Sequence, residues 1–510
     1  MHFFLTAPLF WRIRRRYSGH SKSEKWDDGV FFMESLWAKT SAFAPRERLT
    51  REESADAAVI GAGIAGLLTA WFLQEAGLRV VVLEAGRTAA GQTQNTTAKI
   101  TAQHGYIYRT LLEKHGEDKA WQYAQANAAA IGDYRRIIRD KRISCAFEEQ
   151  DAYLYSRQDA ALMQDEAEAA RLLGLPASFT TKVTLPFPVA GAVRFAHQAQ
   201  FHPLQFLQVL ARELTIYENT RVLSVEENQV HTADAAVTAE HIVFACHYPF
   251  VNFPGLYFTR MHQERSYVIA LENAPIPDGM LIDEAADGCS FRHYGPYLLL
   301  GGGSHRTGEN SAGGRYDDLR QKANEWFPQA REITHWSAQD VITADGVPYI
   351  GRFAASRPQW YVATGFQKWG MTTAMAAAVI LRDAVLGKTN PYADVFAPSR
   401  FSAGDIPAVA REGMQAVKGL TRENLTLPRE TLDALPVGHG GIVEFGGKKV
   451  GVYKEDGASI HIVDTRCPHL GCQLAWNPDE KTWDCPCHGS RFDYTGRLLD
   501  APAQSDIALR

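Results

Sequence analysis

Cysteine is scarce in this chain, with seven in 510 residues, and four of those are packed with two histidines into residues 467–488. Cys145, Cys246 and Cys289 are scattered without ligand spacing and read as buried packing residues. No apolar run approaches the ~18 to 20 residues of a bilayer-spanning helix. The longest, FFLTAPLFW at 3–11, has about half that length, which excludes an integral membrane segment of this kind. A basic excess is also missing: 53 Lys and Arg face 58 Asp and Glu, a net charge of -5, so nothing draws the chain to nucleic acid or anionic lipid. An export signal is not recognisable either, because RIRRRYSGHSKSEKWDDG places its positive charge after the apolar stretch. No apolar region follows those arginines, as a twin-arginine signal requires. The chain is read as cytoplasmic, with residues 1–32 a non-structural leader or over-called start before Met33.

What is present suits a globular protein. Apolar residues make up 45% and charged residues 22%, and 510 residues suffice for two or three domains. From Asp56 the sequence runs DAAVIGAGIAGLLTAWFLQEAGLRVVVLEAG: a short apolar strand, a glycine turn, a helix and a strand of continuous Val and Leu. In this βαβ unit Gly61 permits the tight turn, Gly63 lets backbone approach a pyrophosphate at the helix N-terminus, and Gly66 lets helix and strand pack closely. Glu84, 23 residues past Gly61, ends the second strand where an acidic side chain accepts a ribose hydroxyl. A dinucleotide is expected here, and the motif alone does not separate NAD from FAD.

A second stretch decides between them. YVATGFQKWGMTTAMAAAVILRDAVLG (361–387) reads as a strand, a glycine-bearing turn and a long amphipathic helix, and DGVPYIG precedes it at 345–351. Together with the opening unit, these resemble the D-amino-acid oxidase superfamily of FAD enzymes, over about residues 55–400. The resemblance implies an α/β, Rossmann-like FAD-binding domain with a mixed or antiparallel substrate sheet within about 150–330. It implies that Gly365, Gly370, Met371 and Thr372 border the isoalloxazine, with the helix N-terminus stabilising negative charge on it. It also implies that the backbone of Val222, in TRVLSVEE, meets the adenine. GQTQNTTAKITAQHG (91–105) would pass beside the flavin, making Lys99 and His104 candidates for the active site. Arg265 and Tyr267, and with them His293 and Tyr294, are candidates for the substrate face by family position. No second GxGxxG for a nicotinamide cofactor is found.

Beyond the FAD region, residues 401–423 are expected to form a helical linker, and a small all-β domain, with hairpins broken at GG and DG, is expected over 424–510. It carries Cys467 and His469, then fifteen residues, then Cys485 and His488. Two loops thus each offer a thiolate and an imidazole. Zinc takes such a Cys₂His₂ set, although the Cys-x-His step is too short for the usual CxxC knuckle. A Rieske [2Fe–2S] cluster takes the same set, two cysteines on one iron and two histidines on the other.

CPHLGC and CPCHGS, followed by APA at 501–503, resemble the Rieske family. The resemblance implies that Cys467, His469, Cys485 and His488 are the ligands and that Cys472 and Cys487 form a disulfide tying the loops together. Two departures stand out: Pro468 replaces the family's Thr, and Phe492 replaces a Tyr that donates to a ligand sulfur, whereas Ser490 is kept. Fewer donors to sulfur predict a lower potential than in respiratory Rieske proteins. Trp476 and Trp483 read as core.

The expected function is oxidation of a small amine or amino-acid-like substrate by FAD, with electrons passing singly to the cluster and then to an external one-electron carrier. Two alternatives are a cluster-fed flavin reductase or monooxygenase running electrons inward, and a non-catalytic redox carrier or sensor.

Overall fold

The computed structural model describes residues 33–400 and 432–509. The expected leader, the expected linker and the residues up to 431 lie outside the described residues. Those described fall into two compact units: one holds 33–307 and 314–400, the other Gly308–Gly313 and 432–509.

The larger unit is built on two sheets. The first has eight strands, and its centre runs in the order Arg357–Thr364, Ala236–Phe244, Glu53–Ile60, Val80–Leu83, Thr215–Tyr217, all paired in parallel. Parallel strands are covered on both faces, so the VVVL run is buried at every position. The helix Ile64–Glu75 is buried from Ile64 to Leu73 and packs against the helix Gly370–Val385, whose run of small residues through Ala376–Ala377–Ala378 permits close approach.

The second sheet has nine strands and is mostly antiparallel, with Met261–Glu272 between Tyr297–Arg306 and Arg331–Thr343. It reaches beyond the expected 150–330, taking in Lys99–Ile100 at one edge and Arg331–Thr343 at the other. Strand alternation gives it two distinct faces. Val268, Ala270, Leu299 and Trp336 enter the core shared with the nucleotide-binding sheet. Tyr267, Ile269, Leu271, Leu298 and Leu300 enter a separate core closed by Tyr316, Leu319 and Ala323 of the helix Arg315–Trp326.

The C-terminal unit is all β, with a three-stranded sheet and a four-stranded sheet. Gly446 and Gly447, both at positive φ, form the two-residue turn between Gly440–Phe445 and Lys448–Lys454, as GG in a hairpin requires. Val463, Leu474, Trp483 and Phe492 form its core, with Trp476 packed at the margin.

Candidate functional sites

The nucleotide turn is shaped by its glycines. Gly61 has φ +105, and a Cβ there would stand 2.6 Å from the carbonyl oxygen of Ala245. A Cβ on Gly66 would lie 1.9 Å from the Gly61 carbonyl oxygen, so helix and strand approach closely only because both residues lack side chains. A Cβ on Gly63 would crowd Thr93 Oγ1 at 3.3 Å, and that hydroxyl accepts from Ile64 N–H at 2.9 Å. Glu84 accepts from the N–H groups of Ala62 and Gly86, at 2.8 Å each, which fixes its carboxylate beside the turn. Burial pushes this carboxyl above its ordinary range. The Val222 side chain is buried, two residues beyond Thr220, whose N–H donates to the Glu84 carbonyl. A cradle free of side chains at a helix N-terminus, with an acid at the next strand end, fits the dinucleotide.

The second glycine turn, between Arg357–Thr364 and Gly370–Val385, is tied to the stretch 97–105. Thr372 Oγ1 accepts from Thr101 N–H at 2.8 Å and donates to the Thr101 carbonyl at 2.9 Å. The Met371 carbonyl accepts from Tyr134 Oη at 2.9 Å. Gly365 has φ +73 and Gly370 opens the helix. Lys368, which sequence reasoning passed over, reaches Glu264 at 3.3 Å and Asp340 at 3.7 Å from this turn. Although burial opposes it, hydrogen bonding from His262 and the charge of Lys368 hold Glu264 down to about 2.

The four candidates named for catalysis separate. Lys99 is half-buried, and among the described residues no hydrogen bond or ion pair reaches its ammonium. Burial first, then the charge of Arg292, push it down to about 7. His104 is a structural residue: Nδ1 meets Tyr123 Oη and Nε2 meets the Thr101 carbonyl, both at 2.7 Å, while its ring stacks on Trp369 at 4.9 Å. Burial lowers it to about 3, so the ring is neutral and neither nitrogen is left for a substrate.

Arg265 and Tyr267 lie apart from this stretch. Both project with Ile269 to the sheet face covered by Arg315–Trp326, opposite the face of Val268 and Trp336. There Arg265 donates to Ser337 and Gln339, and Tyr267 Oη lies 3.1 Å from His305 Nε2. Strand position alone did not say which way they point; the period-2 pattern does once the covering helix is known. Tyr294 packs edge-on to Trp37 at 4.8 Å, and His293 Nε2 meets Gln200 at 3.0 Å.

In the C-terminal unit two loops repeat one design. Gly471 N–H donates to the Cys467 carbonyl and Gly489 N–H to the Cys485 carbonyl, both at 2.9 Å, with both glycines left-handed. Each cysteine is followed by proline, and the backbone N–H groups beyond it turn towards its sulfur: His469 and Leu470 to Cys467, Cys487 and His488 to Cys485. Cys467 and Cys485 are free and buried, and hydrogen bonding from Cys485 holds the Cys467 thiol below its ordinary value despite burial. The His469 and His488 rings stand perpendicular with centroids 4.8 Å apart. Cys472 and Cys487 are joined as a disulfide, Cα atoms 6.5 Å apart, and the sulfurs of Cys472, Cys485 and Cys487 lie within 4.8 Å of one another. Ser490 Oγ accepts from Ala503 N–H at 3.0 Å and is directed at Cys467, whereas Phe492 offers only carbon. Two thiols and two imidazoles converging from matched loops, under a disulfide, fit a cluster with two ligands of each kind.

Comparison with known proteins agrees with both sites. Residues 56–384 match the family model "FAD dependent oxidoreductase", and 431–509 match "Rieske [2Fe-2S] domain", which sets zinc aside. The chain is 36% identical over 488 residues to YhfW of Bacillus subtilis (strain 168), whose name is that of a Rieske 2Fe-2S iron-sulfur protein; the alignment covers 92% of this chain and 96% of that one. Among solved structures, glycine oxidase from Geobacillus kaustophilus aligns with TM-score 0.58 and 19% identity, over 69% of this chain and 100% of that one. L-proline dehydrogenase from P. horikoshii aligns with TM-score 0.57 and 17% identity, over 69% and 99%. No helix among the described residues is long and apolar enough to cross a membrane.

Proposed function

Because the chain belongs to the FAD dependent oxidoreductase family and carries a Rieske [2Fe-2S] domain, we propose that it oxidises a small amine or amino-acid-like substrate and delivers the electrons singly to an external carrier. When bound, FAD accepts an electron pair as a C–H bond beside nitrogen breaks, and the cluster takes electrons one at a time. The observation that carries the reading is this pairing of two-electron and one-electron centres on one polypeptide.

The chain's own part is positional and acid–base. The cradle Gly61–Gly66 with Glu84 orients the dinucleotide, and the Thr372–Thr101 pair fixes the second turn against the stretch that holds Lys99. An ammonium substrate must lose a proton before its C–H bond can deliver hydride. Lys99 Nζ, which burial pushes down to about 7, accepts that proton. Cys467, Cys485, His469 and His488 hold the cluster.

Anaerobic mixing with a panel of amines and amino acids tests this, watching flavin and cluster absorbance together. A substrate alone should bleach both, and the rate of flavin reduction should rise with pH through about 7, as Lys99 loses its proton. Cluster reduction that needs an added reductant, with no bleaching by any substrate, would favour inward flow.

A further inference from the structure

Arg292 is buried in the strand Ser290–Tyr294 and points to the core face, since its neighbour Phe291 enters the opposite core. Its Nη1 donates to the carbonyls of both Thr97 and Ala98, the latter at 2.7 Å, across 195 and 194 residues of sequence. Nε donates to the His293 carbonyl at 3.0 Å, and the guanidinium lies 5.2 Å from the Trp37 ring centroid. Ala98 has φ +55, a left-handed conformation that a non-glycine residue holds only when its surroundings impose it. The grip thus falls on the two residues immediately before Lys99.

We propose that Arg292 is a positioning residue for the reaction: its grip on the Thr97 and Ala98 carbonyls fixes the segment that carries Lys99 and keeps a guanidinium next to that segment. This rests on the reading above, in which Lys99 faces the flavin. Burial lowers Arg292 to about 9, so near neutrality it keeps the charge that Lys99 is losing. The other groups facing this pair are few. Glu148, from Glu148–Ser156, attracts Arg292; His202 and Tyr294 lie near it; and His293 Nε2 is 3.5 Å from Glu148. Neither Glu148 nor any of these rings is paired with Lys99, and the charge that acts on it is that of Arg292.

The test uses FAD-loaded protein and competitive acylation of Lys99 by acetic anhydride across pH, read by peptide mass spectrometry, in wild type, Arg292→Gln and Arg292→Lys. The wild-type midpoint is expected near 7. Arg292→Gln should raise it by about one pH unit, and the rising limb of flavin reduction should move with it. Arg292→Lys places an ammonium that burial discharges as it does that of Lys99, so its midpoint should move up in the same direction as that of Arg292→Gln while the melting temperature falls. Should Arg292→Gln not fold, Arg292→Met, which keeps an aliphatic stem against Trp37, carries the same reading. An unmoved midpoint in a folded, FAD-loaded neutral variant overturns the proposal, as does a wild-type midpoint near 10. Acylation needs no substrate, so a midpoint that shifts while no amine reduces the flavin would sink the proposed function and leave the role of Arg292 standing.

Discussion

Hydrogen bonds to ligand sulfur favour the reduced, more negative cluster, so each donor raises the potential. Ser490 supplies one such donor, held by Ala503 N–H, and Phe492, fully buried in the same core, supplies none. Phe492→Tyr should raise the potential by a few tens of millivolts, with ~60 mV as the ceiling for one bond of ~1.4 kcal/mol in a one-electron couple. Redox titration followed by electron paramagnetic resonance reads it, and no upward shift would contradict the assignment. At the other cofactor, Gly66→Ala places a methyl group against the Gly61 carbonyl and should cut FAD content to below about a tenth of wild type while the cluster signal persists. These residues were legible in the sequence because their chemistry is local: a turn or a ligand loop is written in six consecutive positions. Arg292 was not, because what gives it meaning lies nearly two hundred residues away, and the direction of Arg265 was not, because its neighbours in sequence do not say which face of the sheet is covered.

Elements are held in this protein by buried charges whose partners are distant in sequence. The DGVPYIG phrase resembled a family signature, and its Asp345 makes a buried, two-pronged ion pair with Arg400 at 2.7 and 3.0 Å. Arg400 also donates to the carbonyls of Val347, Pro348 and Phe396 and lies 4.1 Å from the Tyr349 ring centroid, so it fastens the end of the described FAD unit to the strand Tyr349–Ala354. Burial works against ionisation of Asp345, but the charge and hydrogen bonds of Arg400 outweigh it and hold the carboxyl below its ordinary 3.8. Asp345→Asn should therefore cost ~3 to 5 kcal/mol near neutrality, measured by denaturant unfolding monitored through flavin release. Since the folded value is the lower one, the pair stabilises fully above about pH 4 and loses its effect as pH falls through the folded value; wild type and variant should converge there. Glu166 works similarly at the start of the long helix Tyr108–Asp140, where its carboxylate accepts from the N–H groups of Ile107, Tyr108 and Arg109. Helix and strand types followed from local pattern, but these fastenings did not, because a charged residue within a pattern reads as solvated surface until the fold encloses it.

At the scale of the whole molecule, the direction of electron flow determines what a broken cluster does. Under outward flow the flavin is reduced by substrate and emptied through the cluster; under inward flow the cluster fills the flavin. Cys485→Ser removes one of the two free, buried thiols of the matched loops in the C-terminal unit, whereas the glycine cradle belongs to the larger unit. The variant should retain FAD, and substrate should still bleach its flavin under anaerobic conditions at close to the wild-type rate. Steady-state turnover with cytochrome c as the one-electron acceptor should fall by about tenfold or more, because the flavin's pair of electrons then lacks a centre that divides it. Inward flow predicts the opposite pairing: no substrate bleaches the flavin in either protein, and an external reductant that fills the wild-type flavin fails to fill that of the variant. Stopped-flow absorbance of flavin and cluster in the two proteins, with metal content measured on the same samples, separates these outcomes.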